Sequence, residues 1–291
     1  MENLYFYIVI LLAVLAIGDL IVGVSNDAVN FLNSAIGSKA ISFRNIMILA
    51  SIGIALGAIF SSGMMEVARK GIFNPSAFSF QEIIYIFMAV MITDILLLDF
   101  FNTLGMPTST TVSIVFELLG AAVMMAMIKI LANGGSLGEL ENYINSAKAS
   151  QIIFGILLSV FVAFTIGAIV QWISRYLFTF FLEKTSAIKK ALFGGVSLAA
   201  LSNFILIKGI KGTEYANISF LLLGDQTIKE FLNNEMILVN GLNLLIWYLI
   251  SFGLIKFTQI NIFKLIISIG TFALALAFAG NDLVNFIGVP I

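Results

Sequence analysis

The chain contains no cysteine and no histidine. Those absences exclude disulfides, thiolate or imidazole metal sites, haem ligation, Ser-His-Asp and Cys-His catalysis, and histidine proton relays. Any chemistry must be carried by carboxylates, amides, hydroxyls and backbone. Charge is scarce too. Only 11% of residues are Asp, Glu, Lys or Arg, against roughly 25% in soluble domains. Fifteen basic and sixteen acidic residues leave a net charge of -1, so no nucleic-acid surface is expected.

What is abundant is apolar: 60% of the residues are hydrophobic and the mean hydropathy is +1.08. Runs of the roughly 20 residues that a helix needs to cross about 30 Å of hydrocarbon recur from end to end. The alternating pattern of a membrane β-barrel is absent. The longest polar stretches, Asn133 to Ser150 and Lys208 to Glu235, are too short to bury a core of their own. These features predict an all-α, polytopic membrane helix bundle forming one domain over 1–291. No basic segment or small-residue cleavage site precedes the first run, so a retained first helix is expected.

Eight spans can be placed: Leu4 to Val24, Ile46 to Met65, Ile83 to Phe101, Ile114 to Leu131, Ile152 to Tyr176, Ala191 to Ile207, Met236 to Ile255 and Phe263 to Phe278. Between the third and fourth lies Asn102 to Ser113, an uncharged, hydroxyl-rich segment with Gly105 and Pro107. It reads as a re-entrant or broken helix, tolerated where backbone lines a cavity. Phe31 to Ile36, too short to span, reads as part of another broken helix. Gly53 and Gly57, spaced G-x-x-x-G, are expected to let helices approach closely.

The chain also repeats itself. Ser25-Asn26-Asp27-Ala28-Val29-Asn30-Phe31 and Gly280-Asn281-Asp282-Leu283-Val284-Asn285-Phe286 agree everywhere but at the first and fourth positions. On a helix the i and i+4 asparagines share a face with the Asp beside them. A carboxylate inside a membrane is expensive, about 2.5 to 3.5 kcal/mol on insertion scales, and normally has a partner. Asn26, Asp27, Asn30, Asn281, Asp282 and Asn285 thus become candidate oxygen ligands for a hard cation, next to amides and helix ends that can face an anion. An odd number of spans separates the copies, as in inverted-repeat transporters. Helix capping is the plainer reading of a single Asn-Asp pair, but a cap needs one residue, not a shared Asn-Asp-x-x-Asn pattern.

Gly105-Met106-Pro107-Thr108-Ser109-Thr110-Thr111 sets four consecutive hydroxyls after a proline suited to a first helical turn. Unpaired N–H groups there, with the hydroxyls, can hold an oxyanion without Lys or Arg. The plainer reading is a break stabilised by hydroxyl bonds to the preceding turn. Asp99, Asn102 and Glu117 are candidates for an ion path. Asp19 and Asp94 read equally as path residues, as helix-end residues or as partners of a neighbouring hydroxyl.

Taken together, Asn-Asp-x-x-Asn after the first helix, Gly-x-Pro-x-Ser-Thr-Thr before the fourth and a late Gly-Asn-Asp closely resemble the PiT family of inorganic phosphate transporters, from about Gly18 to the end. The resemblance implies phosphate symport with sodium or protons through an inverted-repeat fold. The first repeat would cover about 1–180, linking spans 181–260, and the start of an incomplete second repeat 261–291. It implies phosphate contacts from Asp27, Ser109, Thr110, Thr111 and Asp282, and ion contacts from Asn26, Asp27, Asn281 and Asp282. No cofactor or enzymatic activity is expected, and sodium is the only metal, if coupling uses it. Expected partners are phosphate, the coupling ion, the lipid bilayer of the cell (inner) membrane and a second chain in a homodimer. Transport of another oxyanion such as sulfate, or a non-transporting receptor or assembly role, stays open. The chain departs from the family in having Val112 where many relatives have His, and Phe116 and Glu117 in place of small residues. It also ends at Ile291, so the rest of the second repeat, with its own Pro-x-Ser-Thr-Thr, is expected to be missing.

Overall fold

A computed structural model describes residues 2–59, 71–178, 185–209, 217–219, 226–258, 260–281 and 283. Among them run nine α-helices: α1 (Glu2–Ser38), α2 (Phe43–Ile59), α3 (Phe80–Leu104), α4 (Thr110–Ala132), α5 (Ser146–Phe178), α6 (Ala187–Gly209), α7 (Ile228–Asn234), α8 (Met236–Phe257) and α9 (Ile262–Asn281). Seven of these, all but α2 and α7, are long and apolar enough to cross a membrane. The chain is a multi-pass, all-helical membrane protein. The second expected span, Ile46 to Met65, corresponds to α2, and the part of that span beyond Ile59 lies outside the described residues.

Two expectations about broken helices change. The first Asn-Asp motif does not follow a helix end. It sits inside α1, which continues through Phe31 to Ile36 without interruption. No Pro or Gly occurs from Val24 to Ile36, and the polar side chains find partners across the packing, so the backbone has no reason to open. The second break is real but narrow. Helix α3 runs on to Leu104 and is ended by Gly105 in the left-handed conformation (φ 68°), where a Cβ is costly. Helix α4 starts only at Thr110, with Ser109 as its N-cap. Pro107 therefore stands two residues before the cap, not in the first turn, because the Thr108 N–H is directed to a side chain of α1.

The chain divides into two compact units, Met1–Asn30 with Met64–Phe161 and Asn281–Ile291, and Phe31–Gly63 with Val162–Gly280. In the first, α3 and α4 form an antiparallel pair. Its far end is closed by Lys129, whose Nζ donates to Glu82 Oε2 (2.9 Å) and Ala77 O (2.9 Å), while Glu82 and Ser79 form a capping box. The core is built from stripes at four-residue spacing: Ile86, Val90, Asp94 and Leu98 on α3, and Thr110, Ile114, Leu118, Ala122, Ala126 and Ile130 on α4. Leu12 and Ala16 of α1 pack into the same core.

The second unit is held by close approach of backbones. A Cβ on Gly53 would lie 2.6 Å from Phe272 O, and one on Gly57 would strike Leu276 O, so only glycine lets α2 meet α9 here, as the G-x-x-x-G spacing predicts. Helices α6 and α8 meet through Gly195, against the Tyr248 backbone, and through an amide network. There Asn243 Nδ2 donates to Ala199 O (3.1 Å) and to Asn203 Oδ1 (2.8 Å), Asn203 Nδ2 donates to Asn240 Oδ1 (2.7 Å), and Trp247 Nε1 donates to Ser202 Oγ (3.0 Å).

Candidate functional site

Within the first unit, α1 and the α3–α4 break are joined by side-chain bonds. Asn26 is the hub. Its Oδ1 accepts from the Thr108 backbone N–H (2.9 Å), and its Nδ2 donates to Asn102 Oδ1 (2.9 Å). Asn102 in turn donates to Val22 O (3.1 Å), which holds the last turn of α3 against α1. The carboxamide of Asn26 thus shapes the break by supplying the acceptor that an unwound N–H needs. Asp27, one residue on, is 3% exposed. Its Oδ2 accepts from Thr110 Oγ1 (2.6 Å) and its Oδ1 from Asn30 Nδ2 (3.1 Å).

Beside these contacts opens a cavity of about 310 Å³, lined by Asp27, Asn30, Pro107, Thr108, Ser109, Thr110 and Thr111. Asp27 is the only charged residue among them. The N-terminus of α4 forms one wall. Its first-turn N–H groups and the positive end of its dipole are available to an anion there, and Ser109 Oγ accepts weakly from Val112 N–H at 3.4 Å. A second cavity, about 200 Å³, borders Ser25, Asn26, Val29, Asn102, Gly105, Met106 and Pro107. The first cavity can accept hydrogen bonds through a carboxylate and donate them through a helix end and hydroxyls. That combination suits an oxyanion carrying a proton of its own.

Of the sequence candidates, Asp27, Asn30, Ser109, Thr110 and Thr111 come together at one cavity, and Asn26 and Asn102 brace it. Asp99 is exposed on α3 and is not among the lining residues. Glu117 lies deeper on α4, where its Oε1 is 2.7 Å from Ser113 Oγ. Asn281 ends α9. Asp282 and Asn285 lie outside the described residues. The bracing role of Asn102 and the position of Ser113 were not foreseen, and both depend on which helix faces meet. Asp94 had a legible signal, since it occupies the fourth-residue stripe otherwise filled by Ile86, Val90 and Leu98.

A family model described as the phosphate transporter family matches residues 23–291. A protein of Pyrococcus abyssi named "putative phosphate permease" is 26% identical over 282 residues, covering 91% of this chain and 61% of its own length. A Helicobacter pylori protein with the same name is 34% identical over 104 residues, 35% of this chain and 20% of its own. A solved structure titled as the sodium-dependent phosphate transporter superposes with a TM-score of 0.70 at 18% identity, covering 98% of this chain and 66% of that one. The chain therefore spans about three fifths of the length of the Pyrococcus abyssi relative and about two thirds of the solved transporter.

Proposed function

The chain belongs to the phosphate transporter family, and on that premise we propose that it serves secondary active import of inorganic phosphate, coupled to a cation, across the cell (inner) membrane. One observation carries the reading. A buried carboxylate, Asp27, and the N-terminus of α4 face the same cavity, and no Lys or Arg lines it. A phosphate dianion entering there has helix-end N–H groups and the Ser109 and Thr111 hydroxyls as donors, while its own O–H donates to Asp27. The added negative charge beside Asp27 needs compensation inside the membrane. Sodium fits the oxygen donors that Asp27 and Asn30 present, since hard cations take carboxylate and carboxamide oxygens, and the sodium-dependent relative supports that choice over protons at this cavity. Asn26 supports the site from behind by holding Thr108.

The second Asn-Asp motif, Asn281 to Asn285, supplies the matching half in this reading. The first repeat covers about 1–180, the connecting spans about 181–260 and the second repeat begins near 261, in inverted orientation. Alternating access then moves the two halves around a shared midplane site. The carboxylate favours phosphate over sulfate, because sulfate at neutral pH has no proton to donate to it.

The test is uptake of labelled phosphate into proteoliposomes by the wild-type protein and by Asp27→Asn, with sodium or choline outside at fixed pH. Uptake should require sodium and fall on the order of 100-fold in the variant, the loss expected when a charged hydrogen-bond partner worth up to about 3 kcal/mol is removed. Wild-type rates in Asp27→Asn overturn the site assignment, and equal uptake in choline overturns sodium coupling.

A further inference from the structure

Deeper in the first unit the same three helices bring together acids that the phosphate cavity does not use. Asp19 lies on α1, Asp94 on α3, and Ser113 and Glu117 on α4. Asp19 and Asp94 are both 0% exposed. Asp19 faces the Asp94 carboxyl, and Asp94 faces Glu117. The charged groups that meet here are these three acids, contributed by α1, α3 and α4, and no Lys or Arg among the described residues joins them.

The hydrogen bonds do not balance unless protons are present. Ser113 Oγ lies 2.6 Å from Asp94 Oδ1 and 2.7 Å from Glu117 Oε1, both O–H···O distances. A serine hydroxyl has one hydrogen, so it donates to only one of the two oxygens. The other contact needs a carboxyl O–H that donates to Ser113 Oγ. Both oxygens of Asp19, Oδ2 of Asp94 and Oε2 of Glu117 are sealed from solvent and receive no hydrogen bond from any described donor. Two such carboxylates facing each other in an apolar core cannot both be ionised. They must share a proton, by the like-charge logic of paired aspartates. The unpartnered, fully buried Asp19 is thus the observation that turns a cluster of acids into a site with a missing ligand.

We propose that Asp19, Asp94, Ser113 and Glu117 form a proton-binding site, distinct from the Asp27 cavity, that loads through Glu117 and stores a proton on the sealed Asp19–Asp94 pair. Glu117 is half-buried, the least buried of the three acids, although its Oε2 is sealed like the oxygens of the pair. A proton on Glu117 passes to Ser113 Oγ as the Ser113 hydrogen passes to Asp94 Oδ1. One O–H bond breaks and one forms at each transfer, and water is the outer donor and acceptor. The site lies one layer below the phosphate cavity. Asp19 is eight residues before Asp27 and Asp94 eight before Asn102, about 12 Å along each helix axis. Its residues and contacts are separate from whatever that cavity binds.

Infrared difference spectroscopy of the whole chain in lipid nanodiscs, without phosphate, tests this. In wild type, a protonated-carboxyl C=O band should be present at neutral pH, shift in D₂O and disappear as pH is raised. The band should lose intensity in both Asp19→Asn and Asp94→Asn, and its pH-driven loss should slow at least tenfold in Glu117→Gln. Several results overturn the proposal: no such band in wild type, a band that does not shift in D₂O, or unchanged intensity in both Asp variants. So does a band that appears only when sodium is withdrawn, which identifies an alkali cation as the occupant. The wild-type D₂O and sodium measurements decide the matter even if a variant fails to fold. Because phosphate is omitted, the outcome is separate from that of the uptake test.

Discussion

The Asp27 cavity in the first unit and the Asn243 network in the second are both polar clusters set between apolar helices, yet they use their polarity differently. Around Asn243 the donors and acceptors are neutral and turn inward, onto Ser202, Asn203 and the Ala199 carbonyl. The space beside Asn203 and Asn240 is small, about 80 Å³, and mostly walled by Leu206, Leu232, Met236 and Val239. Around Asp27 there is a charge, a helix start and a cavity of about 310 Å³. Neutral amides that satisfy one another hold helices together. A charge beside a helix end and an opening can face a ligand. Within one chain, then, polarity inside the membrane serves adhesion in one unit and, on the function proposed above, recognition in the other.

That contrast can be broken at several points. The largest effect belongs to Asp27→Asn, which should cut phosphate uptake on the order of 100-fold while the protein keeps its thermal stability; a folding defect of equal size would make Asp27 a structural residue like Asn243. Next is Gly57→Ala. Its new Cβ meets the Leu276 carbonyl and should cost about 1–3 kcal/mol of stability, the usual range for overpacking, read as a lower melting temperature with phosphate affinity of the folded protein unaltered. Thr110→Val removes the donor to Asp27 Oδ2 and should lower uptake about tenfold, one ordinary hydrogen bond's worth, with recovery in Thr110→Ser. The smallest change is expected for Asn243→Ala. Interhelical polar contacts in membranes average about 0.6 kcal/mol, so a slight fall in melting temperature and unchanged phosphate binding should result. A strong loss of binding in that variant would erase the distinction between the two clusters.

How far each cluster could be read beforehand follows from the kind of signal it leaves. Asn26, Asp27 and the Thr108 to Thr111 hydroxyls stand out in sequence because they repeat or run consecutively in an apolar context. Asn203, Asn240 and Asn243 leave no repeat, and their meaning depends on α6 and α8 facing one another. Asp94 was legible in principle from its four-residue register with Val90 and Leu98, but its partners Asp19 and Ser113 lie 75 and 19 positions away along the chain, and no local pattern joins them. The continuity of α1 is hidden in the sequence for a related reason. A polar motif in an apolar run suggests an end when considered alone, and becomes compatible with a helix interior once Asn102, Thr108 and Thr110 satisfy it.

By itself, then, the sequence determined a multi-pass helical membrane protein of the phosphate transporter family, with its polar motifs and its G-x-x-x-G contact, because length, hydropathy, absent residue types and short spacings are local properties. The tertiary structure decided that Asn26 binds the Thr108 backbone, that Asp27 and the start of α4 share a cavity, and that three acids from three helices meet below it. Those outcomes depend on which faces of rigid helices are turned toward each other, and many side chains together set that choice through packing.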